Sequence, residues 1–240
     1  MGESFPVMCG RYALARRADA LARLFGAWEA PGVHEAFEPS HNIAPTRQVL
    51  GLAMTQARDR VLDTYRWGLI PWWATDPAIG NRLFNARAAT LSTSQAFADA
   101  FARRRLALVA DGFFEWRPGS DGRRRPLFFQ RADGAPLLFA GLWERWRDPA
   151  PRADEPLLSC TIVTTEAGPD LLGIHDRMPV ILEPEALDRW LDGTEGAGLL
   201  RPSPAGTLVH HPVDPRVGDV RNDGADLVAP YEEQELRLFD

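Results

Sequence analysis

Short apolar runs separated by turn-forming residues recur along the chain, and they constrain the fold more than any other feature of the sequence. Runs suited to strands occupy residues 48–54, 61–65, 106–110, 113–117, 126–131, 137–142, 159–165, 178–182 and 208–213. Apolar residues at helical spacing occupy residues 18–27, 94–104 and 184–191. We therefore predict an α+β fold, a single domain with a curved or barrel-like mixed β-sheet and a few peripheral helices. The turn at residues 132–134 predicts a β-hairpin.

The length of 240 residues and the hydrophobic content of 45% are sufficient for one full core. We expect an N-terminal extension over residues 1–7, one domain over residues 8–230, and an acidic tail over residues 231–240. No apolar run approaches the roughly 20 residues of a membrane span, and the extension does not resemble a secretion signal. Two cysteines make neither a disulfide framework nor a metal-ligand pattern. These observations predict a cytoplasmic protein without a cofactor or metal.

The charge of the chain limits the nucleic-acid partners that it can have. Its formal net charge is −6, and all of its basic residues are arginines. Proteins that wrap long duplexes are usually basic, so the acidic charge argues against broad electrostatic binding of DNA but does not exclude a local arginine-lined groove. The arginine runs at residues 103–105 and 123–125 are interpreted as solvated surface.

The sequence Met8-Cys9-Gly10-Arg11-Tyr12 points to unusual chemistry near the N-terminus. A methionine before a small residue can be trimmed, which would make Cys9 the first residue. An N-terminal cysteine carries a thiol and an α-amine whose reference pKa is about 7.7–8.0, so much of the amine is neutral near physiological pH. The pair can condense with an aldehyde to an imine and then to a thiazolidine ring. The alternative is that Met8 and Cys9 are ordinary residues that precede a strand.

Three further motifs contain polar residues that a core does not require. Asn42 begins Asn-Ile-Ala-Pro, which is either a turn before a strand or part of a site. Glu115 lies among aromatic residues, where desolvation would raise its pKa for acid–base work, although an edge-strand glutamate is an alternative. His175, flanked by an aspartate and an arginine, is either a proton shuttle or a loop histidine bonded to the backbone.

Two stretches suit a flat or anionic ligand. Trp72 and Trp73 are adjacent, so in an extended segment they cannot both face one core, and at least one is predicted to be exposed. Exposed aromatic rings stack on unpaired bases, although a packed aromatic corner is an alternative. Asn85 and Arg87 follow and offer amide and guanidinium donors to phosphate.

Taken together, these motifs resemble the SOS response associated peptidase (SRAP) family of abasic-site processing proteins from Met8 to about Pro230. The family order is matched by MCGRY, NIAP, WGLIPWW, NAR, DGFFEW, IHDRMP, a late His-Pro, VGDV and Asn222. The resemblance implies a lyase-like sensor of abasic sites in single-stranded DNA, which forms a covalent thiazolidine crosslink and has autopeptidase activity. It also implies a monomer that becomes nucleoid-associated when bound to DNA.

The resemblance assigns roles residue by residue. Cys9 is the nucleophile, Asn42 holds the cysteine and the sugar, Glu115 moves protons, and His175 donates a proton that favours the open aldehyde. The residues assigned to DNA binding are Arg11, Pro45, Trp72, Trp73, Asn85, Arg87, Trp116 and Thr164.

Two departures from the family pattern affect these expectations. Ala89 stands where the family usually has a glutamate, which puts any pairing of that glutamate in doubt. The extension would acylate the Cys9 amine, so either translation starts at Met8 or the extension is removed by self-cleavage. Two other functions remain open: an N-terminal-nucleophile cysteine peptidase or amidase that acts on other proteins, and a non-catalytic module for single-stranded DNA.

Overall fold

The computed structural model describes residues 9–119, 121–150 and 155–232, and two β-sheets form its core. The strands are β1 (Tyr12–Leu14), β2 (Trp28–Glu29), β3 (Ser40–Ile43), β4 (Gln48–Met54), β5 (Arg60–Trp67), β6 (Asn85–Arg87), β7 (Arg105–Ala110), β8 (Gly112–Pro118), β9 (Arg124–Arg131), β10 (Leu137–Trp146), β11 (Leu157–Glu166), β12 (Arg177–Pro179) and β13 (Leu208–Pro212). The α-helices are α1 (Ala18–Phe25), α2 (Val33–Ala36), α3 (Ala98–Arg103) and α4 (Leu187–Leu191). Short 3₁₀ helices span Pro77–Arg82, Ala88–Thr90, Pro169–Leu171, Pro184–Ala186, Ala197–Leu199, Pro215–Gly218 and Ala225–Val228.

The larger sheet closes on itself. Its strands run in the order β11-β10-β7-β4-β5, and a parallel pairing of β5 with β11 joins the two ends. Strands β2, β6 and β12 extend it, and parallel and antiparallel pairs both occur. Apolar side chains such as Leu50, Leu106, Phe139 and Ile162 are fully buried in its core. The predicted α+β fold with a barrel-like mixed sheet is confirmed.

The smaller sheet is antiparallel and runs in the order β13-β9-β8-β1-β3. Phe113 and Phe129 stack on the face toward the main core, with ring centroids 5.1 Å apart. Phe114 and Phe128 lie in a second apolar cluster with residues of the C-terminal segment, residues 213–228. The C-terminal segment therefore covers the outer face of the sheet that carries β1 and β8.

The predicted hairpin around residues 132–134 is wrong. Gly134 adopts the left-handed conformation that such a turn needs, with φ of 74°. However, both edges of β9 are occupied by β8 and β13, while β10 pairs with β7 and β11. The turn therefore leads from one sheet to the other. Its residues determine that the chain reverses there, but they do not determine which strand β10 pairs with.

All three predicted helices are shorter than expected, and α1 ends at Phe25 because Gly26 adopts the left-handed conformation. Residues 94–97 form turns, and Phe97 has φ of −122° and ψ of −20°, so α3 begins only at Ala98. The segment predicted at 184–191 divides into a 3₁₀ turn and α4. Among the described residues, no helix combines the length and apolar content that a bilayer crossing requires. The predicted extension at residues 1–7 and residues 233–240 of the predicted tail lie outside the described residues.

Candidate functional site

Cys9 and Glu115 meet at one end of the smaller sheet. The antiparallel pairing of β1 with β8 aligns Tyr12 with Phe113, which brings the residues before β1 alongside the middle of β8. The Cys9 backbone N–H donates a hydrogen bond of 2.7 Å to Glu115 Oε1, across 106 residues of sequence. Both residues are buried. The two groups that the sequence assigned to the reaction are thus in direct contact.

The surroundings of Glu115 make it a plausible group for both giving and taking a proton. Burial raises the pKa of its carboxyl to about 7, although N–H donors from Cys9 and Trp116 and the charges of Arg124 and Arg177 oppose the rise. Both protonation states are therefore populated near neutral pH, which suits general acid–base work. Burial, and secondarily the charge of Glu115, raises the pKa of the Cys9 thiol well above its ordinary value.

Arg177 interacts electrostatically with both Glu115 and Arg87. It was not among the site residues predicted from the sequence. Its Nη1 donates to Thr164 Oγ1 at 3.4 Å. Burial lowers the pKa of Arg177 and so does the nearby charge of Arg87, while Asp176 and Glu115 raise it. Arg177 belongs to the motif Ile-His-Asp-Arg-Met-Pro, in which only the histidine was predicted to take part in the reaction.

His175 lies beside Arg177 with its side chain almost fully buried. Its Nδ1 is 2.8 Å from Asp176 Oδ1 and 3.1 Å from the backbone N of Arg177. An unprotonated Nδ1 accepts the Arg177 N–H, whereas a protonated Nδ1 pairs with the Asp176 carboxylate. The ring therefore has a suitable partner in either state, which fits a group that transfers protons.

Two neighbouring clefts form an open groove that is lined in part by Arg177 and His175. One, of about 470 Å³, is lined by residues that include Arg87, Ala89, Thr164 and Arg177. The other, of about 460 Å³, is lined by residues that include His175, and the two share Glu166 and Asp176. The pairing of β6 with β11 places Arg87 opposite Thr164 and Asn85 opposite Ile162. A glutamate in place of Ala89 would bring a negative charge into the wall beside Arg87.

Arg11 and Asn42 contact each other and the C-terminal segment. Arg11 Nη1 donates to Asn42 Oδ1 at 2.8 Å and to the carbonyl of Val217. The Asn42 amide donates to carbonyls of the C-terminal segment. These partners differ from the cysteine, sugar and phosphate that the sequence analysis assigned to the two side chains, and those roles stay predictions.

The aromatic residues occupy other parts of the surface. Trp72 and Trp73 are 59% and 38% exposed, which confirms that the pair is not a packed corner. Trp73 Nε1 donates to Gln95 at 3.4 Å, and Trp73 borders a separate cleft of about 480 Å³. Pro45 is half-buried in a turn whose next two residues form backbone hydrogen bonds with Trp67. Trp116 packs on the second apolar cluster. The described contacts do not join Trp72, Trp73 or Pro45 to Cys9.

Comparisons with known proteins show the family and the fold of this chain. The sequence model of the SOS response associated peptidase (SRAP) family matches residues 8–220. The abasic site processing protein YedK of Escherichia coli is 36% identical, over 93% of this chain and all of its own. The abasic site processing protein YoqW of Bacillus subtilis is 34% identical over the same shares. A crystal structure of a Bacteroides thetaiotaomicron protein has a TM-score of 0.83 at 20% identity, covering 93% of this chain and all of that chain, which shows the shared fold.

Proposed function

This chain belongs to the SOS response associated peptidase family, and we propose that it captures abasic sites in single-stranded DNA through a thiazolidine formed by Cys9. The observation that carries the proposal is the 2.7 Å contact between the Cys9 nitrogen and Glu115 Oε1. The names of the relatives YedK and YoqW, both abasic site processing proteins, supply the substrate class. An abasic site is a masked aldehyde, which is the electrophile that an N-terminal cysteine consumes.

The reaction follows from the two nucleophiles of Cys9. The free α-amine attacks the aldehyde carbon, and the oxygen leaves as water after protonation, which gives an imine. The sulfur then adds to the imine carbon, and the thiol proton goes to the nitrogen, which closes the ring with the loss of one water in total. The amine reacts first, because the ring closes only when the sulfur adds to an imine carbon that the amine has already formed. Glu115 next to the nitrogen accepts and returns the protons, and His175 protonates the sugar oxygen to favour the open aldehyde.

Single-stranded DNA is the form that suits the surface. A site that lacks a base offers no base edge to read, so binding depends on backbone contacts and stacking. Arg87 and Arg177 line one cleft and attract phosphate, while the exposed faces of Trp72 and Trp73 stack on unpaired bases. Asn85 lies two residues before Arg87 on β6 and belongs to the same surface.

The chain beginning at Met1 needs removal of residues 1–8 before it can react. Cys9 has φ of 43°, a left-handed conformation that is strained for a residue with a side chain. We propose self-cleavage in which the Cys9 thiol gives its proton to the Glu115 carboxylate as the sulfur attacks the preceding carbonyl carbon. Glu115 returns that proton to the nitrogen as the C–N bond breaks, which leaves a thioester and a free amine. Water then hydrolyses the thioester to a carboxylic acid and the free thiol. Release of the strained peptide and protonation of the nitrogen by Glu115 favour this step.

The deciding experiment combines intact mass with a denaturing gel. One form starting at Met8 and one starting at Met1 are incubated with single-stranded DNA that carries one abasic site. We expect a heat-stable adduct only when the mass shows Cys9 as the first residue. Cys9→Ala should give none, whereas Cys160→Ala should react normally because Cys160 is buried in the barrel strand β11. An adduct at full rate from a chain that retains Met1, or from Cys9→Ala, would contradict the mechanism.

The alternative function, cleavage of other proteins by Cys9, is tested with the same preparations. Under the proposal, the form that begins at Cys9 leaves added unfolded proteins and peptides intact on a denaturing gel. Cys9-dependent cleavage of those substrates, without an adduct on abasic DNA, would favour the peptidase function instead.

A further inference from the structure

The hydrogen bonds of the Asn42 side chain are all made to the protein itself, which argues against direct contact with a substrate. It is 3% exposed on β3. Its Nδ2 donates to the carbonyls of Val217, Asp219 and Asn222 at 3.3, 3.1 and 2.8 Å. Its Oδ1 accepts from Arg11 Nη1 at 2.8 Å. Both ends of the side-chain amide are therefore engaged by the protein itself.

Arg11 links Asn42 to Cys9, because its side chain is bonded to Asn42 and its backbone is two residues from Cys9. Its guanidinium is bonded both to Asn42 Oδ1 and to the Val217 carbonyl. Its backbone carbonyl accepts the Phe114 N–H at 3.0 Å, next to Glu115 in β8. Arg11 is two residues after Cys9, so the side chain fixes the short piece of chain that ends at the Cys9 nitrogen.

We infer that Asn42 is a positioning residue that acts through Arg11: it fixes the Arg11 guanidinium against residues 217–222 and thereby holds Cys9 against Glu115. The inference rests on the proposed function for the reaction that it serves. It makes the C-terminal segment part of the site, although residues 213–228 contribute no group to the chemistry.

The energetics favour this role. Removal of a buried amide leaves its former partners without a hydrogen bond, which destabilises the arrangement that held them. Here the groups left unsatisfied would be carbonyls of the C-terminal segment and the Arg11 guanidinium. Loss of Asn42 therefore frees Arg11 at the side of the sheet where Cys9 lies. A displacement of the nucleophile by about 1 Å can lower a rate by about 100-fold.

A double-mutant cycle tests the inference on the form that begins at Cys9. The variants are Asn42→Ala, Arg11→Ala and the double variant, and Asn42→Ser provides the same test should the alanine variant not fold. The maximal rate of adduct formation is measured with abasic single-stranded DNA. Affinity is measured separately with an oligonucleotide that carries a tetrahydrofuran analogue, which lacks the aldehyde. The control is Asp223→Ala, which removes the contacts of this carboxylate with Ser40, His41 and Gly224 but leaves the bonds of Asn42 and Arg11 in place.

We expect Asn42→Ala to lower the maximal rate about 10- to 100-fold while the affinity for the analogue changes less than about threefold. The effect of Asn42→Ala should largely disappear in the Arg11→Ala background, because the two residues act as one unit. Asp223→Ala should keep the rate within about twofold of the wild type. Additive losses, or an equal loss in Asp223→Ala, would overturn the positioning role.

Hydrogen exchange in the absence of DNA separates this inference from the proposed function. Asn42→Ala should increase exchange of amides at residues 10–14 and 217–222, and unchanged exchange there would overturn the inference even if the rate falls. If the wild type forms no adduct at all, the proposed function fails, while the exchange result still reports whether Asn42 fixes Arg11.

Discussion

At the scale of single residues, Glu115 shows a conflict between stability and chemistry. A carboxyl with a pKa of about 7 in the folded protein and an ordinary value of 4.5 binds its proton more tightly in the folded state. The folded state therefore loses stability as the pH rises from about 4.5 through 7, and the full cost is present above pH 7. The difference corresponds to about 3 kcal/mol at most.

Glu115→Gln should remove this cost together with the proton transfer. We expect its free energy of unfolding at pH 8 to exceed that of the wild type by up to about 3 kcal/mol, with little difference at pH 4. Adduct formation should slow by about 10²–10⁴-fold, while binding of the tetrahydrofuran analogue is retained. Denaturant unfolding at both pH values and the adduct gel measure the two effects. Glu38→Gln, at a carboxylate whose side chain is 86% exposed, should change neither; equal stability of wild type and Glu115→Gln at pH 8 would contradict the argument.

Single residues also show where local sequence misleads. The run at residues 103–105 was predicted to be solvated surface, but Arg104 bonds to the buried Glu144 at 2.8 Å. Arg105 lies over the rings of Phe101 and Trp190, 4.7 and 4.8 Å from their centroids. Glu144 and Trp190 belong to distant elements, β10 and α4, so nothing near the arginines in the sequence reveals these two partners.

At the scale of secondary-structure elements, nine of the thirteen strands in the described residues were predicted. The short strands β1, β2, β3 and β6 were not predicted, and neither were the partners of the strands. The apolar run at residues 48–54 predicted β4 with its observed bounds, because a short apolar run between turn-forming residues is typical of a buried strand. The error at residues 132–134 concerned only the partner sheet. For the same reason, the motifs identified Cys9 and Glu115, whereas the Asn42–Arg11 contact with residues 217–222 depended on how distant elements pack.

The turn that carries Trp72 and Trp73 allows a matched test of stacking. Trp72→Ala should weaken binding to single-stranded DNA containing the tetrahydrofuran analogue by about 1–3 kcal/mol, the value of one stacked base. Trp28→Ala removes a tryptophan that is 49% exposed on β2 and should leave binding unchanged. Fluorescence anisotropy measures both affinities. Equal losses in the two variants would show that Trp72 has no special role in binding.

At the scale of the whole molecule, a net charge of −6 limits how strongly DNA is held by electrostatics. Each neutralised phosphate of a single strand contributes about −0.7 to the slope of log affinity against log salt concentration. With a few arginines at the groove, we expect a slope of about −2 to −3. Titrations at several salt concentrations measure it.

Arg87→Gln should make that slope less steep by about 0.7, since it removes one phosphate contact. Arg23→Gln provides the control, because Arg23 is exposed on α1 and pairs with Asp19. A slope steeper than about −5, or equal affinity for intact duplex, would contradict a short groove for single strands.

The wide sequence separation of Cys9 and Glu115 has a consequence for biosynthesis. Cys9 is among the first residues made, but its partner follows 106 residues later, which takes about 5–20 s at ordinary rates of synthesis. Arg177 emerges later still, and the barrel closes only after β11 has been made. Under the proposed function, a nascent chain therefore contains the cysteine for many seconds before the groups that would assist its reaction with an aldehyde have been synthesised.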